Sequence, residues 1–396
     1  MTSGNVGSDD KEAKGLATQE VNRLTFVVLS SILVLSALLM LRQGAVDKRL
    51  CQHVDSEPGG TTVVTLAQVA RQAGVSTAAA SLVLSGKSEG RVGARTAQRV
   101  RDTAEELGYV RDALAGGLRT KRTLTLGVLG EQVLSTPYAV SMIDGILNAS
   151  RDLGWSVIFT DSGGDPEQTR RAANELRSRR VDAIVQAAMY HQKVRVPAGL
   201  TNVAVLNGFA DRDSIMGVVP DEAEAAREAV VHLLELGHRR IGHITHDDET
   251  ATAVSLRRDA YRTTLRQAGV PLDPALVVAG GNDPAGADAS ARQLLDREDR
   301  PTAVFCYNDG IAAGVYRVAA SLGLSIPEDL SVVGFDDLLL ISTNLAPPLT
   351  TMRLPHYEMA DWLVRRLATG NVLAITHRFP CELVVRESTA PPPISG

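Results

Sequence analysis

Cysteine is scarce in this chain. Cys51, Cys306 and Cys381 are the three thiols in 396 residues, and they form no CxxC pair and no even framework. That excludes a disulfide-stapled scaffold and fits a reducing compartment. Cys306 lies in an apolar run and reads as a small core residue rather than a ligand. The short motifs of common catalysts are missing as well. There is no G-x-S-x-G and no Walker loop, so neither an esterase-type nucleophile nor a phosphate cradle is encoded. The nearest approach to a metal-ligand cluster is His243 and His246 with Asp247 and Asp248, which reads as a strand end and its loop. The sequence therefore implies no catalytic residue, no metal ligand and no cofactor. A heptad tail is absent too: the last residues are Pro391-Pro392-Pro393-Ile394-Ser395-Gly396, which argues against a coiled-coil tetramer.

Charge is missing from one stretch in particular. Leu24–Leu41 runs eighteen residues without a charged side chain, between Arg23 and Arg42, at the lower edge of a membrane-spanning length. Met1–Arg23 is polar and reads as disordered, and residues 43–62 read as linker. Three readings of this extension stay open. One is an anchor that tethers the protein to a membrane. A second is an export signal, against which the adjoining segment argues. The third is a start codon assigned too far upstream, with translation beginning near Met40 or Val63.

What the chain does have is a helix-turn-helix between Val64 and Tyr109. Thr65 is a good N-cap and Gln68 stands three residues on, the spacing of a capping box. Leu66, Val69, Ala70 and Ala73 give the first helix one apolar face. Gly74 suits the left-handed residue that ends a helix, and Ser76 suits the cap of the next. In that second helix Ala80, Val83 and Leu84 face inward, which leaves Thr77, Ala78, Ser81 and Leu82 outward. A third helix from about Ala94 to Leu107 adds Val100, Ala104 and Leu107 to the small core. Between Val63 and Arg122 ten Lys and Arg stand against five Asp and Glu, a net of +5, on a chain of −5. A basic module on an acidic protein is an electrostatic footprint for phosphate.

The match at Val64, Thr65, Val69, Ala70, Ala73, Gly74, Val75, Ser76, Ser81, Val83, Leu84, Gly86, Ala104, Leu107, Gly108 and Tyr109 resembles the DNA-binding domain of LacI/GalR-family transcription regulators. The resemblance implies that the second helix enters the major groove of operator DNA. Thr65, Ser76, Thr77, Ala78, Ser81 and Leu82 are then the expected contacts, with Ser76 and Ser81 on phosphates. It also implies a hinge helix after Tyr109, in which Leu118 takes the position of the leucine wedged into the minor groove.

From Thr123 the texture changes to apolar runs alternating with amphipathic stretches. Leu124–Leu129, Val157–Thr160, Ala183–Ala187, Val203–Leu206, Ile241–Ile244, Ala303–Cys306 and Leu330–Phe335 read as strands. Ala139–Leu153, Pro166–Arg179, Ala223–Leu236, Leu256–Ala268 and Asp309–Leu322 read as helices. The pattern occurs twice, which predicts two parallel α/β lobes with a cleft at the strand ends. This region is similar to the same family through Leu236–Ile241, Tyr307–Gly314, Leu330–Asp337 and Pro347–Met352. The resemblance implies a type I periplasmic-binding-protein-like core, with chain crossings near Pro220-Asp221, Thr350–Leu354 and Glu382. It implies an effector, a sugar or nucleoside, held by Arg257, Asn308 and Asp336. Tyr138, after the first strand, joins them, and Arg257 reads as opening a helix. Asp309 and Asp337 read as turn or N-cap residues.

The expected fold is thus an all-α helix-turn-helix domain joined by a hinge helix to a two-lobed α/β effector domain. Its segments are an extension over 1–62, the DNA-binding domain over 63–108, the hinge over 109–122, the effector and dimerisation domain over 123–390 and a tail over 391–396. The expected function is a homodimeric, sequence-specific transcription regulator in the cytoplasm, with repression the family default, switched by a small molecule. A membrane enters only if 24–41 is an anchor. The rival is an anchored or exported solute-binding protein, which would have no use for Val64–Leu118.

Overall fold

The computed structural model describes residues 64–109, 122–133, 136–248, 251–281, 283–370 and 373–393. The hydrophobic stretch 24–41 and Leu118 lie outside the described residues. Among the described residues no helix is long and apolar enough to cross a membrane. The chain divides into two compact units, one within 1–111 and one within 112–396.

The first unit holds helices α1 (Leu66–Gln72), α2 (Thr77–Leu84) and α3 (Ala94–Glu106). Both expected caps form. Thr65 Oγ1 accepts from the Gln68 N–H, and Gln68 Oε1 accepts from the Thr65 N–H at 2.7 Å. Ser76 Oγ accepts from the Ala79 N–H at 3.2 Å. Between the helices Gly74 holds φ 63°, a conformation cheap only for glycine. Val69, Ala70, Ala73, Ala80, Val83, Ala97, Val100 and Ala104 close the core. Arg99 ties α3 to α1 by donating from Nε to the Ala73 carbonyl at 2.9 Å.

The second unit contains two six-stranded sheets. The first is ordered β11-β5-β4-β3-β1-β2 and is parallel throughout: β1 (Thr125–Glu131), β2 (Ser156–Asp161), β3 (Ala183–Val194), β4 (Val203–Ala210), β5 (Met216–Pro220) and β11 (Thr376–Phe379). The second is ordered β12-β10-β9-β8-β6-β7: β6 (Ile241–His246), β7 (Val277–Gly280), β8 (Ala303–Cys306), β9 (Ser331–Asp336), β10 (Thr350–Arg353) and the antiparallel β12 (Glu382–Val384). Near-continuous burial along β1, β3, β4 and β9 follows from helices on both faces, as parallel sheets require.

In the first lobe, α4 (Val140–Asp152) and α11 (His356–Thr369) cover one face, with Met142, Ile146, Leu363 and Leu367 against Leu126 and Val128. Helix α5 (Pro166–Ser178) covers the other with Ala173 and Leu176. In the second lobe, α6 (Glu222–Glu235) and α7 (Thr252–Gln267) cover one face. Helices α8 (Pro284–Leu295) and α9 (Asp309–Ser321) cover the other, and a short α10 spans Leu339–Ser342. The chain passes between lobes three times: from β5 to α6, from β10 to α11, and from β11 to β12.

Three details differ from the sequence expectation. Helix α7 begins at Thr252, so Arg257 sits in its second turn rather than opening it. Strand β3 runs on to Val194, past an irregularity between Ala187 and Gln192 that interrupts its apolar pattern. Helices α8, α10 and α11 and strands β5, β7, β10, β11 and β12 add to the elements expected.

Candidate functional site

The face that α2 turns to solvent is small and weakly polar. Thr77 and Ala78 are exposed, and Ser81 and Leu82 are half-buried. Thr65 and Ser76 are exposed at the helix N-termini, but their side-chain oxygens are already engaged as caps. Arg71, Lys87, Arg91, Arg95, Arg99 and Arg101 are all exposed on this unit, which gives it a solvated positive surface.

In the second unit a cavity opens where the strand ends of the two lobes meet, with about 440 Å³ of empty space counted out to its mouth. It brings together all four residues expected there: Tyr138, Arg257, Asn308 and Asp336. Tyr138 stands in a single 3-10 turn, Pro137–Ala139, after β1. Asn308 follows β8, and its Oδ1 caps α9 by accepting from the Ile311 N–H at 2.8 Å. Asp336 ends β9 with φ 102°, a backbone state that L residues seldom hold and that clusters at functional sites. Asn207, on β4 and also in the cavity wall, holds φ 58°. Its amide is fixed by donation to the Ala188 and Met189 carbonyls.

Arg257 is buried, 3% exposed, and heavily engaged. Nε donates to Glu222 Oε2 at 2.7 Å, and Nη1 donates to the Tyr307 carbonyl. The Phe335 ring centroid lies 3.6 Å from the guanidinium carbon and that of Tyr307 lies 4.5 Å away. Nη2 lies 3.7 Å from Asp336 Oδ1, close enough for attraction and too far for a hydrogen bond. Burial opposes the Arg257 charge, but Glu222, Tyr307 and Asp336 hold it protonated. Burial pushes the Asp336 carboxyl up to about 7 against the pull of Arg257, with the Glu222 charge adding to the rise. Burial also lowers His356 to about 4 and lowers His191, so both imidazoles are neutral. His191 Nδ1 and His356 Nε2 are buried without a hydrogen-bond partner.

Glu222, His191, Asn207, His356 and Tyr307 are cavity residues that the sequence did not single out. Asp309 and Asp337, expected as turn or N-cap residues, instead brace the site. Asp309 is fully buried inside the first turn of α9 and accepts from Thr351 Oγ1 and the Leu338 N–H, each at 2.6 Å. Burial raises its pKa well above that of an ordinary aspartate. Burial alone would raise Asp337 as well, but hydrogen bonds from Arg386, Ser342 and Arg353 hold it low. His243 is fully buried in the core of the second lobe. Its ring stacks on Phe305 and Tyr261, and Nδ1 lies 2.9 Å from the Phe305 carbonyl. Among the described residues no cluster of His, Cys, Asp and Glu could hold a metal. Cys306 is a buried core residue whose thiol burial pushes up.

Two family models match the chain. One is described as bacterial regulatory proteins of the lacI family, over residues 65–112, and the other as a periplasmic binding protein-like domain, over residues 230–389. The HTH-type transcriptional regulator DegA of Bacillus subtilis is 30% identical over 337 residues, covering 83% of this chain and 98% of DegA. The sucrose operon repressor of Escherichia coli is 30% identical over 335 residues, covering 83% of this chain and all of the repressor. Among solved structures, the lac repressor dimer bound to operator and the anti-inducer ONPF superposes with a TM-score of 0.69. It is 26% identical and covers 83% of this chain and 99% of that one.

Proposed function

This chain belongs to the lacI family of bacterial regulatory proteins, and from that premise we propose that it is a homodimeric, operator-binding repressor released or retained by a small hydroxyl-bearing effector. The observation that carries the reading is the pairing in one chain of two things. One is a capped, basic helix-turn-helix with α2 open to solvent; the other is a strand-end cleft holding Tyr138, Arg257, Asn308 and Asp336. Thr77, Ala78 and Leu82 offer methyl and hydroxyl contacts to base edges, and Ser81 offers its hydroxyl to a phosphate. Ser76 and Thr65 position phosphates through the helix N-termini they cap. Leu118, in the proposed hinge over 109–122, is the apolar wedge. The DNA-binding domain is assigned to 63–108 and the effector domain to 123–390. An effector whose contacts differ between two lobe arrangements couples the cleft to the operator.

The chain is assigned no catalytic step, and its place of action is the cytoplasm, where operator DNA is. A solute receptor is the poorer reading, because residues 65–112 match a regulator's DNA-binding module. Selection of bound sequences from a random DNA pool by the full chain tests the proposal. The expected result is a palindromic site whose affinity falls at least about tenfold between 0.1 and 0.3 M salt, as several phosphate contacts require. Failure to enrich any sequence sinks it.

A further inference from the structure

The charge inventory of the cleft says more than that it binds hydroxyls. Glu222 and Asp336 are its acidic groups, and Arg257 is the only cation among the described residues that line it. Most of that cation is engaged internally: Nε and Nη1 are bound within the protein, aromatic rings stand over the guanidinium, and Nη2 faces Asp336 at 3.7 Å. Among the described residues Asp336, by contrast, accepts no hydrogen bond and has one ion pair, the 3.7 Å approach of Arg257. One carboxylate is therefore left over in a buried wall, where an unmatched charge is costly. Beside it stand the unpartnered nitrogens of the neutral His191 and His356, which suit hydroxyl groups.

Resting on the effector reading above, we propose that this cleft takes a hydroxyl-rich ring carrying a protonated amine, seated against Asp336 and Glu222, and rejects phosphorylated or carboxylated counterparts. An ammonium brings the missing positive charge and three N–H donors. A phosphate brings a third like charge, and the one cation among the described lining residues is already shared by Glu222 and Asp336.

The test uses the full chain at about pH 7.5, with calorimetric titration and thermal shift on matched triplets. These are glucosamine, glucose and glucose 6-phosphate; galactosamine, galactose and galactose 1-phosphate; and 3′-amino-3′-deoxyadenosine, adenosine and adenosine 5′-monophosphate. In at least one triplet the amine-bearing member is expected to bind about tenfold or more tighter than its neutral parent, with no binding by the phosphate. Asp336→Asn should erase that preference. Glu222→Gln, which releases Arg257, should move preference toward the phosphorylated member; circular dichroism checks that both variants fold. A phosphorylated member binding as tightly as its amine overturns the proposal. So does a preference unchanged in Asp336→Asn, or silence of every amine-bearing member. Operator binding is measured separately on the same protein. DNA binding without an amine preference sinks this inference alone, whereas an amine preference without DNA binding sinks the regulator reading alone.

Discussion

At Asp336 the backbone and the charge are both unusual, and the charge has a measurable consequence. An unfolded aspartate titrates near 4, whereas burial holds the folded carboxyl at about 7. Between those values the folded protein keeps a proton that the unfolded chain has released. This contribution to stability is complete below the unfolded value and is lost as pH rises through about 7. His356 and His243, both lowered to about 4 by burial, act with the opposite sign. Their contribution is present above 6.5 and lost as pH falls through about 4. Subtracting the urea-unfolding profile of Asp336→Asn from that of the wild type isolates the first effect. The difference should fall from about pH 4 to about pH 7 and then level off, and a flat difference would count against the charge assignment. Residue by residue, the site was half legible. Arg257, Asn308, Tyr138 and Asp336 stand beside motifs or strand ends that sequence displays. Glu222 opens a Glu-Ala-Glu-Ala run that looks like any solvated helix start. It is buried only because α6 begins where the chain crosses between lobes.

Elements carry their own constraints. Helices α4 and α11 approach so closely at Gly145 that a Cβ there would lie 2.5 Å from the Tyr357 carbonyl and 2.9 Å from Ala360 Cβ. The obstacle is partly backbone, so it cannot swing aside. Gly145→Val should cost about 1–3 kcal/mol, the usual range for overpacking, measured as a lower urea midpoint for the second unit. In the first unit, Thr65→Ala removes one half of the capping box. It should cost about 1 kcal/mol, visible as a lower melting temperature of that unit, while a Thr65→Ser variant keeps most of it. Most elements were legible because their apolar period is clean. From sequence one reads the crossing at 350–354 but not α11 beyond it, although Met359, Ala360, Leu363, Val364 and Leu367 recur at helical spacing. The far end of β3 is hidden for a different reason. Tyr190, His191 and Gln192 break the apolar run just where the strand carries His191 into the cleft.

At the scale of the whole molecule, the apolar surface left on the second unit bears on assembly. Leu339 and Leu340 are 60% and 73% exposed, and Val140, 55% exposed, lines the same pocket, a neighbourhood of apolar side chains of the kind that can mark a contact surface. If this surface meets a second copy, the double variant Leu339→Asp with Leu340→Asp should sediment as a monomer and lose operator affinity. A variant that stays dimeric would place the interface elsewhere. The three passages between lobes have another consequence. The first lobe is built from 122–220 together with 356–379, and the second takes its edge strand from 382–384. On the ribosome, then, neither lobe can finish its sheet until nearly the whole chain has emerged. A message cut short before residue 356 leaves the apolar face of α4 bare. Such a fragment is a target for chaperones and proteases, not half of a working switch.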